Sequence, residues 1–401
     1  MIRSRSLLAL TNAELISQLG SAFSGLALPW FVLVTTHSAT RMGFVFAAEL
    51  LPFVLFGLHA GVVVDRLGPR TTMLVSDLAR APTIALVPFL HEVGGLSYAV
   101  ILVVAFAMGL FSTAYFTCQR ALIPAIVGSD EQAVSRANTI LEGATNFTNF
   151  VGPAIAGVLI AFVGAANIMW LDAGSFLISF VLVFAFVRVV RDVHDRNEAG
   201  GVLAGLRYIA GDSFVRRAIL SPFLFGIAFP LVFASFPVLA YRDYHHNPRV
   251  AGLLLAAYGG GSVVGSFVTY VVLARLGAAS IGIVAAIAIA APFWLLVPHV
   301  PLAVIVAAMA IIGFANPMTN GPYFGVLTTR VPAPLFPKVL QAIIVSNQVI
   351  RPAAYATAGL LFTAVGLRAV YAFAAAVATV ASLNFIFAIV SERSTLGQEA
   401  A

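Results

Sequence analysis

Gly61-Val62-Val63-Val64-Asp65-Arg66-Leu67-Gly68-Pro69-Arg70 is the stretch that decides how this sequence folds. One acid, two arginines and a tight glycine turn stand here between two long apolar segments, near 42–65 and 72–90. Charges on so short a bridge cannot be drawn into hydrocarbon, so the turn lies at a water interface with a membrane-spanning helix on each side. Asp65, Arg66 and Arg70 are therefore candidates for a charged gate at one membrane face. The plainer reading, a basic turn that only fixes topology, gives the same placement.

Composition extends that reading to the whole chain. Its 401 residues are 61% hydrophobic and only 9% charged, with a mean hydropathy of +1.00. A soluble domain carries about a quarter charged residues, so this chain cannot cover itself in water. Spans of about 20 apolar residues leave room for roughly a dozen helices. Gly, Pro and charged punctuation divides the sequence into twelve, near 8–35, 42–65, 72–90, 97–125, 132–163, 167–188, 215–240, 250–275, 279–298, 301–330, 336–364 and 368–390. Pro29, Pro52, Pro153, Pro230 and Pro352 fall inside spans, where prolines bend helices that line a cavity.

Several function classes drop out. The net charge of +6 sits in short loops rather than on one face, which excludes a nucleic-acid patch. Cys118 is the single cysteine, so no disulfide can form within the chain. His245-His246 lack the further ligands a metal site needs, and no metal site is expected. No G-x-x-x-x-G-K-[ST] loop is present to bind ATP, and nothing points to an enzyme or a resident cofactor. The start, Met1-Ile2-Arg3-Ser4-Arg5, leads into an apolar segment without a small-residue cleavage site and reads as an uncleaved first span.

The widest polar gap, Val189 to Ser213, carries Arg191, Asp192, Asp195, Arg196, Glu198 and Arg207. It divides an N-terminal six-helix bundle (1–188) from a C-terminal one (215–401), with 189–214 as a cytoplasmic linker. Arg66, Arg70, Arg188, Arg191, Arg196, Arg216, Arg217, Arg275, Arg330 and Lys338 fall on one side of the membrane, against Arg41, Arg242, Arg249 and Arg368 on the other. That bias puts both termini in the cytoplasm. Arg66-Leu67-Gly68 is echoed by Arg275-Leu276-Gly277, and Gly152-Pro153 by Arg351-Pro352, a repeat that fits two related halves.

Polar residues at helical spacing mark where chemistry can occur, since an ionisable group deep in a span costs roughly 2.5–3.5 kcal/mol unless partnered or wetted. Glu14, Gln18, Ser21 and Gly25 form one stripe on the first helix; Asn138, Glu142, Thr145 and Asn149 form another on the fifth. Gln341, Gln348, Arg351 and Tyr355 form a third on the eleventh. Milder stripes are Ser112, Tyr115 and Gln119; Tyr258, Ser262 and Thr269; and Asn316, Asn320 and Tyr323. Such stripes face a water-filled cavity or glue neighbouring helices together. A carboxylate in a poorly hydrated cavity can hold and release a proton near neutral pH, which makes Glu14, Glu49 and Glu142 the proton-coupling candidates. Arg351 cannot deprotonate and needs an anion, either an acid of the protein or part of a substrate. Asp172 reads as structural, and Asp77 with Arg80 as a local pair near the inner face.

The opening stretch also resembles the loop between helices 2 and 3 of the major facilitator superfamily, G-x-x-x-D-[RK]-x-G-x-[RK]-[RK], with Thr71 in place of the last basic residue. The resemblance implies that Gly61, Asp65, Arg66, Gly68 and Arg70 form its cytoplasmic gate, which Arg120 could join. Gly152-Pro153-Ala154-Ile155-Ala156-Gly157 resembles the antiporter-type element G-P-x-x-G-G, with Ala156 for one glycine; Gly152, Pro153 and Gly157 would let the fifth and eighth helices approach closely. Leu28 to Leu33, Glu49 to Pro52 and Val151 to Ala173 are similar to the macrolide and multidrug exporters of that superfamily, a branch that takes in mycobacterial drug pumps and siderophore exporters.

The expected protein is thus an all-α membrane transporter of twelve helices in two pseudo-symmetric six-helix bundles with a cavity at their interface, working by rocking of one bundle against the other. The resemblance implies proton-driven antiport of hydrophobic or amphipathic drugs out of a bacterial cytoplasmic (inner) membrane. Its partners would be a small amphipathic substrate, protons and the lipid bilayer, with no nucleic acid, and the chain is expected to be a monomer. Substrate-facing candidates are Arg351, Gln18, Gln348, Tyr355, Asn138, Asn149 and Tyr115. The alternatives are an exporter of a single metabolite such as a siderophore or lipid, and a non-transporting receptor with a transporter fold.

Overall fold

Gly68 ends one helix and starts the next. Its backbone, at φ +79°, takes a left-handed conformation that a side chain would strain, and its N–H donates to the Val64 carbonyl. Pro69 then opens the following helix at the position where a missing N–H costs nothing, and Thr72 donates its hydroxyl back to the Gly68 carbonyl at 2.9 Å. The charged turn read from the sequence is therefore a one-residue hinge.

The computed structural model describes residues 2–128, 130–188, 209, 211–273, 278–332 and 335–399. The expected linker lies almost wholly outside these residues, as does the repeat element Arg275-Leu276-Gly277. Outside them too are the side chains of Asp65, Gln119, Arg120, Asn320, Lys338 and Gln341. Twelve long helices occupy the described residues: α1 Ile2–Thr36, α2 Ala39–Leu67, α3 Pro69–Glu92, α4 Tyr98–Val127, α5 Glu131–Val163, α6 Ala165–Phe186, α7 Ser213–Arg242, α8 Pro248–Leu273, α9 Ala278–Trp294, α10 Leu302–Arg330, α11 Phe336–Ala364 and α12 Gly366–Glu399. Ten contain a stretch long and apolar enough to cross a membrane; α9 offers only the shorter Ser280–Trp294, and the polar stripe of α11 takes it below that hydropathy. Ser38, Ser97 and Asp130 cap α2, α4 and α5 by accepting from backbone N–H groups.

Residues 1–196 and 237–256 form one compact unit; 197–236 and 257–401 form another. Pro237–Ala256, the end of α7 and the start of α8, groups with the first six helices. The reason is close backbone packing, because Gly157 on α5 faces Pro248 and Gly252 on α8 with no room for a Cβ on either glycine. His37 and Tyr241 add a hydrogen bond of 2.5 Å, and the Trp30 ring packs edge-on against Tyr241.

Inside the first unit, α1 packs on α5 and α6, α3 on α4 and α6, and α2 on α4. Apolar surface gives little drive for association in lipid, so small residues that admit a neighbouring backbone carry these contacts. Gly109 on α4 lies against the main-chain carbonyl of Glu49 on α2, and Gly152 on α5 against Ala22 on α1. Within the second unit the same pairings recur: Gly313 on α10 lies against the Tyr258 carbonyl on α8, and Gly226 on α7 against Asn347 and Ile350 on α11. The α1–α6 seam, tied by Ser6 donating to the Phe186 carbonyl, has its counterpart in α7–α12, where Ser221 donates to the Ala381 carbonyl and Asn384 to Ser221. Two sets of helices with matching partners inside each unit are an internal structural repeat.

Candidate substrate cavity and buried charge cluster

Two polar features are built into these packed helices, one in each unit. In the first unit, Asp77 and Arg80 stand one turn apart on α3, form an ion pair, and are 0% and 2% exposed. Asp77 also accepts from the Ser179 hydroxyl on α6 at 2.8 Å, and Arg80 reaches Ser17 on α1 at 3.4 Å. The guanidinium lies between two rings, 4.1 Å from the centroid of Tyr115 on α4 and 4.2 Å from that of Phe176 on α6. A desolvated contact of this kind contributes about 2 kcal/mol, which helps to hold a charge that burial alone would expel. The pair expected from the sequence forms, but it lies around the midpoint of α3 rather than toward one end and joins four helices.

Glu14 belongs to the same core. It is fully buried on α1, and its Oε2 accepts from Gln18 Nε2 at 2.7 Å. Gln18 Nε2 also reaches Thr145 Oγ1 on α5 at 3.2 Å, so the first two stripes meet through Gln18 and Thr145. Glu14 Oε1 and the Tyr115 hydroxyl are buried without a hydrogen bond. A carboxyl group with one oxygen satisfied and the other bare has room for one proton.

The other members of those stripes lie elsewhere. Asn138, Glu142 and Asn149 are exposed on α5, and Asn138 donates to the Val134 carbonyl of its own helix. Glu49 is half-buried on α2, and no hydrogen bond links any two of Glu14, Glu49 and Glu142. Asp172 is buried on α6 and accepts from Ser175. At the α2–α3 turn Arg66 is exposed, while Arg70 donates to the Phe184 carbonyl at 2.7 Å and so ties the turn to α6.

The second unit contains a cavity of about 370 Å³. Its wall is aromatic: Phe225, Phe229 and Phe233 follow one another up α7, Tyr258 comes from α8, Tyr323 from α10 and Phe385 from α12. Phe229 touches Phe225, Phe233, Tyr258 and Phe293 with ring centroids 5.6–5.9 Å apart. Polar groups are few: Ser221, Asn316, Thr319, Asn347, Gln348 and Arg351. Pro352 has no N–H for the Gln348 carbonyl, which loosens α11 where Arg351 and Gln348 enter the cavity. Asn347 anchors that stretch by donating to the Pro222 carbonyl on α7 at 2.6 Å, and Arg351 Nη1 donates to Gln348 Oε1 at 2.8 Å. Tyr355 is buried one turn beyond Arg351 and does not line the cavity. The Phe225, Phe229, Phe233 ladder escaped the sequence reading; its signal was the four-residue spacing, hidden among 32 phenylalanines. Among the described residues, no group of three or more His, Cys, Asp or Glu could hold a metal ion.

Paired helix sets, an amphipathic cavity and buried charge describe a multi-pass membrane transporter rather than an enzyme. The sequence profile of the Major Facilitator Superfamily matches residues 10–354, and the chain belongs to that family. It is 29% identical over 376 residues to the multidrug efflux pump Tap of Mycolicibacterium fortuitum, covering 91% of each chain. To the multidrug efflux pump Tap of Mycobacterium tuberculosis it is 27% identical over 369 residues, covering 90% of this chain and 87% of the other. Among solved structures, the nucleoside transporter NupG superposes with a TM-score of 0.75 over 95% of this chain and 99% of its own; at 12% identity that likeness concerns the fold alone.

Proposed function

We propose that the protein exports hydrophobic or amphipathic molecules from the cytoplasm by proton-coupled antiport with alternating access. What supports the export reading is near full-length similarity to two proteins named as multidrug efflux pumps. The observation that carries it in the structure is the aromatic cavity of the second unit, a tolerant apolar wall with a few polar groups to orient a ligand. Glu14 is the group assigned to take and release the coupling proton, because it is buried in the first unit with one bare carboxyl oxygen. Glu49 and Glu142 are the further coupling candidates, Arg351 and Gln348 the substrate-orienting groups, and Gly61, Asp65, Arg66, Gly68 and Arg70 the cytoplasmic gate, joined by Arg120. Gly152, Pro153 and Gly157 form the antiporter-type element, the seat is the inner membrane with both termini cytoplasmic, and the protein acts as a monomer.

Dye transport in inverted membrane vesicles tests this. An imposed proton gradient should drive dye accumulation, and a protonophore should collapse it. Accumulation that survives the protonophore would remove the proton from the scheme.

A further inference from the structure

Among the described residues that line the second unit's cavity there is one cation and no acid. Arg351 is half-buried, its Nη1 is engaged by the neutral Gln348 amide, and no carboxylate of the described residues pairs with it. A guanidinium cannot shed its proton, and at membrane depth an uncompensated charge is costly. Among the described residues, Nε and Nη2 have no protein acceptor. Together they form the planar edge that takes a carboxylate side-on through two parallel hydrogen bonds. The wall opposite in character is the ladder of Phe225, Phe229 and Phe233 with Tyr258, a surface for an apolar or aromatic body. A lipophilic cation would find the rings but no anion, and would be repelled by Arg351.

We infer that this cavity selects amphipathic organic acids, the planar oxyanion seated on Arg351 and the apolar body along the α7 phenylalanines. The inference rests on reading the cavity as the substrate site of an exporter, and it narrows the substrate class of that site to molecules with an anionic head.

The test uses the purified full-length chain in lipid nanodiscs and three probes that share one fluorophore: dansyl-aminohexanoic acid, its methyl ester and the amine dansylcadaverine. Fluorescence titration should give an affinity for the acid about tenfold or more above those for the ester and the amine. Arg351→Gln should erase that preference, Arg351→Lys should retain part of it, and Phe229→Ala should weaken all three probes alike. The amine binding as tightly as the acid, an acid preference that survives Arg351→Gln, or no binding of any probe would each overturn the inference. The readout needs no gradient and no transport. Acid selectivity with failed vesicle efflux would sink the export reading alone, whereas gradient-driven efflux with a preference for the amine would sink this inference alone.

Discussion

The guanidinium of Arg80 lies 4.1 Å from the ring centroid of Tyr115 while it pairs with Asp77, which locks α3 to α4 at the centre of the first unit. The pair is retained inside a bundle where either charge alone would be intolerable. Breaking it and removing it are therefore different experiments.

Arg80→Leu should lower the unfolding free energy by about 3–5 kcal/mol, because it strands the Asp77 carboxylate in the core. The double change Arg80→Leu with Asp77→Leu should recover most of that loss. Urea unfolding in detergent micelles, followed by tryptophan fluorescence, measures both. Equal destabilisation in the single and double variants would mean that packing around the rings outweighs the charge.

Glu14→Gln is expected to abolish substrate-induced proton release from the purified protein while leaving the fold intact, since an amide fits the same pocket and Gln18 still has an acceptor. Proton release that persists would take Glu14 out of the coupling step, and Glu49→Gln and Glu142→Gln in the same assay would then name the coupling acid.

Gly109→Ala should destabilise the first unit by about 1–3 kcal/mol, as a methyl there meets the Glu49 carbonyl and must push α2 away from α4. Gly143→Ala, with open space around its Cβ position, should be neutral or slightly stabilising. Thermal unfolding midpoints of the two variants decide the matter, and equal midpoints would contradict the close approach.

Phe229 and Phe293 touch each other but should respond differently to truncation. Phe229→Ala opens the cavity wall and should weaken substrate binding by about tenfold with a modest stability loss. Phe293 is 1% exposed, so Phe293→Ala should cost about 3–5 kcal/mol of stability. Binding titrations paired with unfolding curves separate the two, and a Phe229→Ala protein with unaltered affinity would refute the assignment of the wall.

Much of the fold was legible because membrane spans declare themselves through composition alone. The α2–α3 hinge could be read from Gly68-Pro69 and the charges around it, since glycine and proline act locally. Arg351 and Gln348 stood out because polar residues three apart on an otherwise apolar helix have few reasons to exist. What escaped notice depends on neighbours distant in sequence. Nothing on α3 reveals that Asp77 will meet Ser179, 102 positions later, or that Arg80 will sit between rings from α4 and α6. Periodicity placed Glu142 and Thr145 on one face, yet the fold turns only Thr145 toward α1. The grouping of Pro237–Ala256 with the first unit is set by Gly157 meeting Gly252, a pairing of small residues that spacing along one helix cannot announce.

Cys118 is the chain's single cysteine, fully enclosed beneath the Glu14 and Arg80 cluster with its thiol donating to the Tyr115 carbonyl. Natively folded molecules should therefore stay silent toward maleimides and methanethiosulfonates. A thiol engineered at any exposed position becomes the sole label without first stripping the native one, so paired spin labels on α2 and α8 can follow the transporter's conformations in otherwise unaltered protein.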